Sequence, residues 1–153
     1  MIVGIIHKGS GLGDQLFSYI ATRVRAADLV VDFGFVGKEF FKGNDFMSLD
    51  WGQNTDDIHR YVDYSDGKVI IIDELKQFVC DKPYFDPEFN FIEDGTVIDG
   101  YGAQDIKYFE HRLDEVVKWL KVDPMLMPAN LCVINFRGGE FVTVPELFLP
   151  QEY

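Results

Sequence analysis

A glycine-rich segment near the N-terminus is the first part of the sequence whose residue types suggest chemistry. It spans Gly9–Gln15 (GSGLGDQ) and lies between an apolar, β-branched run at 2–6 and a helical pattern that begins at Asp14. Such a turn between a strand and a helix lets backbone N–H groups approach an anion at the helix N-terminus. The segment therefore predicts a binding site for an anionic group, with a tight turn that binds nothing as the alternative.

Two standard phosphate-binding motifs do not match this segment. The P-loop needs a Gly-Lys-Ser/Thr sequence after four intervening residues, and no such lysine follows. The dinucleotide motif GxGxxG needs a third glycine where the chain has Asp14, although Asp32 lies near the end of the second predicted strand, where that motif has an acid. A nucleotide-binding oxidoreductase built on this turn is therefore an alternative that the sequence disfavours.

A second candidate site lies near the C-terminus, in Asn135–Glu140 (NFRGGE). Arg137 follows an apolar strand pattern, and open parallel α/β sheets bind ligands at the carboxyl ends of their strands. A guanidinium group can hold phosphate oxygens in a bidentate fork, while Gly138 and Gly139 let the backbone approach a ligand closely. Glu140 could act as an acid or base, and the alternative is a surface ion pair with Arg137.

The elements that would position these residues alternate between strands and helices. Strands are predicted at 2–6, 29–35, 68–73, 96–99 and 130–136 and helices at 14–28 and 105–121, with a short helix near 55–62 and a surface loop at 81–95. A strand, a glycine-rich turn, a helix and a strand in succession predict a βαβ unit with parallel strands and a right-handed crossover. The predicted fold is therefore α/β, a Rossmann-like parallel sheet flanked by helices.

Composition limits the classes of protein to which the chain can belong. Its 153 residues are 47% hydrophobic, and they carry 14 Lys plus Arg against 26 Asp plus Glu, a net charge of −12. This is enough apolar chain for one domain with a buried core, which excludes intrinsic disorder. A chain this acidic repels a phosphate backbone, so we expect no nucleic-acid partner and no anionic membrane surface. One arginine with a ring of backbone N–H groups can still bind a small anion.

The sequence gives no sign of a metal site, a disulfide or a targeting segment. Cys80 and Cys132 lie far apart in no CxxC pattern, and the three histidines lack metal-ligand spacing: His7, His59 and His111. No run approaches the ~18 apolar residues of a membrane span, and the N-terminus lacks a signal-peptide pattern. We therefore expect a cytoplasmic protein with reduced thiols and no metal or other cofactor.

Three segments, in order along the chain, carry a family resemblance. Ser10–Phe17 (SGLGDQLF) resembles the motif GGLGNQLF, Gly100–Phe109 (GYGAQDIKYF) resembles GYFQSEKYF, and Asn135–Phe141 (NFRGGEF) is similar to HxRRGDY. These motifs belong to the bacterial α-1,2-fucosyltransferases, glycosyltransferase family 11. The resemblance runs through essentially the whole chain.

The resemblance implies an enzyme that moves L-fucose from GDP-β-L-fucose to a glycan hydroxyl with inversion and without an essential metal. It also implies a GT-B-like fold of two Rossmann-like halves, with the active site in the cleft between them. The family's arginine that holds the pyrophosphate and stabilises the departing GDP falls on Arg137. By the same resemblance the opening motif forms part of the site, through Gly11, Gly13, Asp14 and Gln15.

The third motif departs from the family pattern in residues that bear on its chemistry. Asn135 replaces a histidine, Gly138 the second arginine and Glu140 an aspartate. An asparagine cannot carry a proton as a histidine does, and the missing arginine removes a charge that could hold the donor phosphates. Asn135, Gly138 and Gly139 are predicted to bind substrate. A carboxylate, Glu140 or Asp14, is predicted to assist the acceptor hydroxyl.

The printed chain ends shortly after the third motif, whereas members of the family continue. The sequence therefore predicts one α/β domain at 1–153, the N-terminal part of a longer glycosyltransferase whose partners are a nucleotide sugar and a glycan acceptor. Two other classes stay open. One is a non-catalytic glycan- or nucleotide-binding module of the same descent, and the other is a structural subunit whose open sheet edge docks a partner chain or a second copy.

Overall fold

The computed structural model describes residues 1–55, 75–82, 84–100 and 102–121, together with the backbone of 62–63 and 70–71. All of these residues belong to the first of two units into which the chain divides, Met1–Val122. The second unit, Asp123–Tyr153, lies outside the described residues. The strand predicted at 130–136 and most of the helix predicted at 55–62 fall outside them as well.

The elements of the first unit alternate as the sequence predicts. In chain order they are β1 (Ile2–Ile5), α1 (Leu12–Leu29), β2 (Phe33–Val36), β3 (Val62–Asp63), β4 (Ile70–Ile71), β5 (Lys76–Val79), β6 (Thr96–Asp99) and α2 (Leu113–Leu120), with 3-10 helices at Lys38–Phe40, Pro87–Phe91, Ile106–Tyr108 and Glu110–Arg112. Four strands form a parallel sheet in the order β2-β1-β6-β5, and β3 pairs with β4 in an antiparallel ribbon. The predicted α/β fold with a parallel sheet is confirmed.

The two central strands are buried on both faces, as expected for a parallel sheet covered on each side. On one face Ile2 belongs to the apolar cluster that includes Ala21 and Ala26 of α1. Val3 and Ile5 point to the other face and pack with Val36 and Val97. Strand β1 is therefore the centre of the fold, and the segment that leaves its carboxyl end starts from a fixed position.

Helix α1 extends further than its periodicity predicts, and β2 begins later. The helix continues to Leu29 and ends at Val30, which adopts a left-handed conformation with φ 56° and ψ 47°. The N–H of Val31 then donates to the carbonyl of Ala26 at 3.0 Å, which closes the helix end. The prediction of a strand from residue 29 is therefore wrong for 29–32, because Leu29 is still helical and Val30 and Val31 form the helix cap.

The helix predicted at 105–121 is an α-helix only over its last turns, Leu113–Leu120. Two 3-10 helices precede it, and Phe109 separates them with φ −143° and ψ 0°. The Asp105 carboxylate accepts hydrogen bonds from the backbone N–H groups of Lys107 and Phe85, both at 3.0 Å. Asp105 is therefore the N-cap of the segment, and its bond to Phe85 ties that start to the segment at 81–95.

The segment at 81–95, predicted to be a surface loop, contains the 3-10 helix Pro87–Phe91 and contributes to the core. Phe89 is 2% exposed and packs edge-on against Tyr108, with ring centroids 4.8 Å apart. Phe91, on the same short helix, is exposed. Phe89 is therefore the side chain that anchors the segment in the core.

The stability of this region is expected to fall on acidification because of Asp105. Its two backbone hydrogen bonds hold the pKa of the Asp105 carboxyl below its ordinary value. A carboxyl whose pKa is lower in the folded than in the unfolded state stabilises the fold fully above the unfolded pKa of about 3.9. That contribution is lost as the pH falls through the lower, folded pKa. The free energy of unfolding of the wild type should therefore fall more steeply between pH 6 and pH 2.5 than that of Asp105→Ala.

Urea unfolding curves at a series of pH values measure this difference. Asp45→Ala, at an exposed turn residue, is the matched control and should leave the pH dependence of the wild type unchanged. A constant gap between the wild type and Asp105→Ala over the whole pH range would contradict the assignment.

Candidate functional site

The carboxyl ends of β1 and β6 lie side by side at the centre of the sheet. β1 pairs with β6 through Val3↔Val97 and Gly4↔Ile98, and on its other side it pairs with β2. β1 and β6 are neighbours in the sheet although they are far apart in the chain, with β2 beyond β1 and β5 beyond β6. In open α/β sheets ligands bind in the crevice outside the carboxyl ends of the strands. The segments that follow β1 and β6 therefore form the candidate site.

The glycine-rich segment predicted from the sequence follows β1 and leads into α1. Gly11 is the N-cap residue of α1, and its cap has no side-chain hydrogen bond. Within the described part of the chain, a methyl group added at Gly13 would meet no atom within 4 Å. Backbone N–H groups of the first helical turn are unpaired within a helix and carry partial positive charge. The segment thus offers an open helix N-terminus beside the strand ends.

Gln15, which the resemblance places in the site, connects this segment by hydrogen bonds to neighbouring backbone groups. Its side chain is buried, and its Nε2 donates to the carbonyl oxygens of His7 (3.2 Å) and Phe40 (2.9 Å). Its Oε1 accepts from the backbone N–H of Lys42 at 2.9 Å. The structure therefore gives Gln15 a positioning role: it holds the glycine-rich segment against the short helix at Lys38–Phe40.

The first two motifs of the resemblance meet at this edge although they lie about ninety residues apart. Gln104 Nε2 donates to Asp14 Oδ1 at 3.2 Å, and Ser18 Oγ donates to the carbonyl of Gly100 at 3.1 Å. Asp14 lies in the first turn of α1, where a carboxylate interacts favourably with the helix dipole. Because these contacts span the two motifs, the segment after β6 is fixed relative to the N-terminus of α1.

Gly100 and Gly102 let the segment after β6 pass close to the end of β5. Gly100 has φ +113°, and an added Cβ would lie 2.3 Å from the carbonyl oxygen of Cys80. The N–H of Gly102 donates to the same carbonyl at 2.6 Å. These two glycines therefore serve backbone packing, and a ligand is not needed to explain them.

Cys80 is a structural residue of this edge. Its Sγ donates to the hydroxyl of Tyr108 at 3.4 Å, and that hydroxyl accepts from the N–H of Asp86 at 3.0 Å. Burial raises the pKa of the Cys80 thiol and also the pKa of the Tyr108 hydroxyl. Because the thiolate is the reactive form, a thiol kept protonated in this way is a poor nucleophile.

A histidine–aspartate pair lies at the ends of β1 and β6. The sequence analysis did not predict this pair. His7 Nε2 lies 2.6 Å from Asp99 Oδ1, and the two side chains are 9% and 15% exposed. The other carboxylate oxygen of Asp99 accepts from Gln77 Nε2 at 3.1 Å. Both residues stand at the carboxyl ends of predicted strands, which is the signal that was available. What the sequence could not provide was that β1 and β6 are neighbours.

Five predicted site residues lie outside the described residues: Asn135, Arg137, Gly138, Gly139 and Glu140. Within the described part, no three His, Cys, Asp or Glu side chains are grouped so that they could hold a metal ion. No helix in that part is long and apolar enough to cross a membrane. The structure therefore brings together the N-terminal half of the predicted site, with His7 and Asp99 as additional members.

Comparison with protein-family models, with curated proteins and with solved structures finds no match to this chain. The residues and the geometry of the strand ends are therefore the basis on which a function is proposed.

Proposed function

We propose that the chain is the acceptor-side part of a fucosyltransferase-like glycosyltransferase, which moves L-fucose from GDP-fucose to a glycan hydroxyl. The observation that carries this proposal is the hydrogen bond from Gln104 to Asp14. It joins Ser10–Phe17 and Gly100–Phe109, two segments that resemble fucosyltransferase motifs, at the carboxyl ends of the adjacent parallel strands β1 and β6. This is the edge at which parallel α/β sheets bind ligands, which supports placing both motifs in one site.

The proposed reaction is a single displacement with inversion at the anomeric carbon of fucose. The acceptor oxygen forms a bond to that carbon while the bond to the β-phosphate oxygen breaks, and its electron pair leaves with GDP. Arg137 stabilises the negative charge that develops on the phosphate oxygens. A general base removes the proton of the hydroxyl, for which the sequence offers Asp14 and Glu140. The open backbone at Gly13 borders the ligand, and Gly11 lies beside it under the Asp14 carboxylate.

A non-catalytic binding module of the same descent is the second candidate. The substitutions in the third motif favour it, because Asn135 cannot transfer a proton and Gly138 provides no charge. Such a module would bind a glycan or a nucleotide sugar without releasing GDP.

A transfer assay on the full-length gene product tests the proposal. The protein is incubated with GDP-fucose and a panel of galactose-terminated acceptors, while GDP release and fucosylated product are measured by mass spectrometry. Inverted, acceptor-dependent transfer is the expected result. Saturable glycan binding without GDP release would select the binding module. The absence of both binding and transfer would contradict the proposal.

Replacing Gly13 by alanine is expected to separate ligand binding from folding. Alanine is the better helix former, and the added methyl group meets open space, so the free energy of unfolding should rise by up to about 1 kcal/mol. A ligand that approaches the backbone at Gly13 would be displaced by that methyl group, at a cost of about 1–3 kcal/mol. We therefore expect kcat/KM for transfer to fall about tenfold to a hundredfold.

Gly95→Ala is the matched control, because Gly95 has φ +79° in the turn before β6 and lies outside the site. This variant should lose stability through backbone strain and keep the turnover of the wild type. Thermal unfolding and steady-state kinetics on both variants give the comparison. An unchanged kcat/KM in Gly13→Ala would show that the glycine-rich segment does not border the bound ligand.

A further inference from the structure

Phe91 is a large apolar side chain that the fold holds in solvent on a rigid support. It is 80% exposed, whereas Phe89 on the same 3-10 helix lies in the core. Buried Arg25 donates hydrogen bonds to the carbonyl groups of Asn90 (2.9 Å) and Ile92 (3.0 Å), the residues on either side of this ring. A single exposed apolar residue needs no explanation by itself, so the case for a site depends on what lies beside the ring.

Beside the Phe91 ring lies a cavity of about 270 Å³, near the amino ends of β5 and β6. Phe78 and Ile92 line it together with Phe91 and form its apolar wall. Phe78 packs edge-on against the buried Phe89, with ring centroids 6.0 Å apart, so this wall is continuous with the core. The volume lies below the ~300–1,000 Å³ of pockets that take drug-sized ligands, so the cavity fits a ligand the size of one ring.

The remaining side chains around this cavity are polar and include an ion pair. Glu88 and Gln77 line it with a carboxylate and an amide, groups that hydrogen-bond hydroxyls. Gln77 Nε2 donates to Asp99 Oδ2 at 3.1 Å, which orients the amide. Lys76 lines the cavity as well and pairs with Glu93. The Lys76 ammonium group would repel a cationic ligand, so the lining suits a neutral ligand that carries hydroxyl groups.

We propose that this cavity, the Phe91 cavity, binds one sugar ring of a glycan. A pyranose presents C–H groups on one face and hydroxyl groups at its rim. The C–H groups carry small positive partial charges that suit the negative face of the Phe91 ring, and the hydroxyls donate to the Glu88 carboxylate. A wholly apolar ligand would instead bury that carboxylate without hydrogen bonds, at a large cost in free energy.

The Phe91 cavity is a second glycan contact, remote from the transfer site. It lies near the amino ends of β5 and β6, whereas the candidate site lies at the carboxyl ends of the strands. At about 3.3 Å per residue, strands of four residues place the two ends roughly 13 Å apart, a distance that several linked sugars span. That one glycan occupies both places rests on the proposed function.

Kinetics with acceptors of two lengths test the inference in the full-length protein. Phe91→Ala should raise KM for a long galactose-terminated oligosaccharide about threefold to tenfold, through loss of the aromatic contact. KM for a disaccharide acceptor should stay unchanged, since a short acceptor does not reach the cavity. Phe46→Ala is the matched control, because Phe46 is 69% exposed and does not line the cavity, and it should change neither KM.

Two kinetic outcomes would count against the Phe91 cavity. An unchanged KM for the long acceptor in Phe91→Ala would overturn the inference and leave the proposed function standing. An equal rise in KM for both acceptors would overturn it as well, because the ring would then act on the transfer site and not on a remote sugar.

Binding without the donor separates this inference from the proposed function. The full-length protein is titrated with the same oligosaccharide in the absence of GDP-fucose, and backbone amide shifts are followed by nitrogen-15 NMR. The amides of Phe91 and Ile92 should shift, Phe91→Ala should raise Kd about threefold to tenfold, and salt should leave Kd unchanged because the sugar is neutral. If the wild type binds in this way but transfers no fucose, the proposed function fails and the cavity remains a glycan site. A response of these amides only to a lysine-rich peptide, with a Kd that rises with salt, would overturn the inference in favour of a cationic partner.

Discussion

Replacing Arg25 by methionine is expected to lower the free energy of unfolding by about 2–4 kcal/mol. Arg25 is a residue of α1 and is only 9% exposed. Its Nε donates to the carbonyl of Ile92 at 3.0 Å, and its Nη2 donates to the carbonyl of Asn90 at 2.9 Å. The guanidinium therefore ties α1 to the end of the 3-10 helix at Pro87–Phe91, and methionine keeps the apolar stem while it removes these bonds.

Whether Arg25→Met lowers or raises the stability depends on the carbonyl groups that lose their hydrogen-bond donors. Burial lowers the pKa of the Arg25 guanidinium, which shows that placing the charge there has a cost, and an apolar replacement of a buried charge is sometimes neutral. Here the partner is a carbonyl rather than a second charge, and Ile92 is buried. Its oxygen would lose the donors from Arg25, and an unsatisfied buried acceptor costs about 1–3 kcal/mol. The stability lost with these hydrogen bonds should therefore exceed the stability gained by removing the buried charge.

Urea unfolding of Arg25→Met and of Arg112→Met gives the comparison. Arg112 Nε contacts Asp28 at 2.6 Å and its Nη1 contacts Glu115 at 2.7 Å, both in half-buried positions that are more exposed than Arg25. Its replacement should cost less than about 1 kcal/mol. Equal losses in the two variants would mean that the buried arginine does not hold the segment in place.

The sequence predicts those elements whose local hydrophobic pattern matches their position in the fold. β1 is a short β-branched run and α1 shows an apolar face at helical spacing, so both were predicted, as was the glycine-rich segment between them. The predicted helical pattern begins at Asp14, and Asp14 lies in the first turn of α1. These features depend on residues that are a few positions apart in the chain. Hydrophobic periodicity is a pattern over the same short distance, so it is able to predict them.

Other parts of the fold depend on contacts that the sequence does not display. β5 (KQFV) lies at the edge of the described sheet with mostly exposed side chains, so it shows no apolar run and was missed. The 3-10 segments before α2 follow from the hydrogen bonds of Asp105 and the burial of Tyr108. The pairing of His7 with Asp99 follows from the strand order alone. Each of these needs the tertiary partner to be known first.

Under the proposed function, replacing Arg137 by alanine is expected to lower kcat for fucose transfer about 10²- to 10³-fold, a loss of roughly 3–4 kcal/mol of transition-state stabilisation. This residue follows the predicted strand at 130–136, and the resemblance gives it the contact with the GDP leaving group. Negative charge on the phosphate oxygens grows as the bond to fucose breaks, so a fixed cation acts mainly on the transition state. The loss should therefore appear in kcat more than in KM.

Two further variants make this result specific. Arg137→Lys keeps the charge but loses the bidentate fork, and we expect it to recover only part of the activity. Arg112→Ala removes an arginine of equal charge from a surface ion-pair network and should keep the kcat of the wild type. The third motif has glycine at position 138, where the family has a second arginine, so no neighbouring arginine in that motif can take over the role. Full activity in Arg137→Ala would therefore place the leaving-group contact elsewhere and would remove the mechanistic basis of the resemblance.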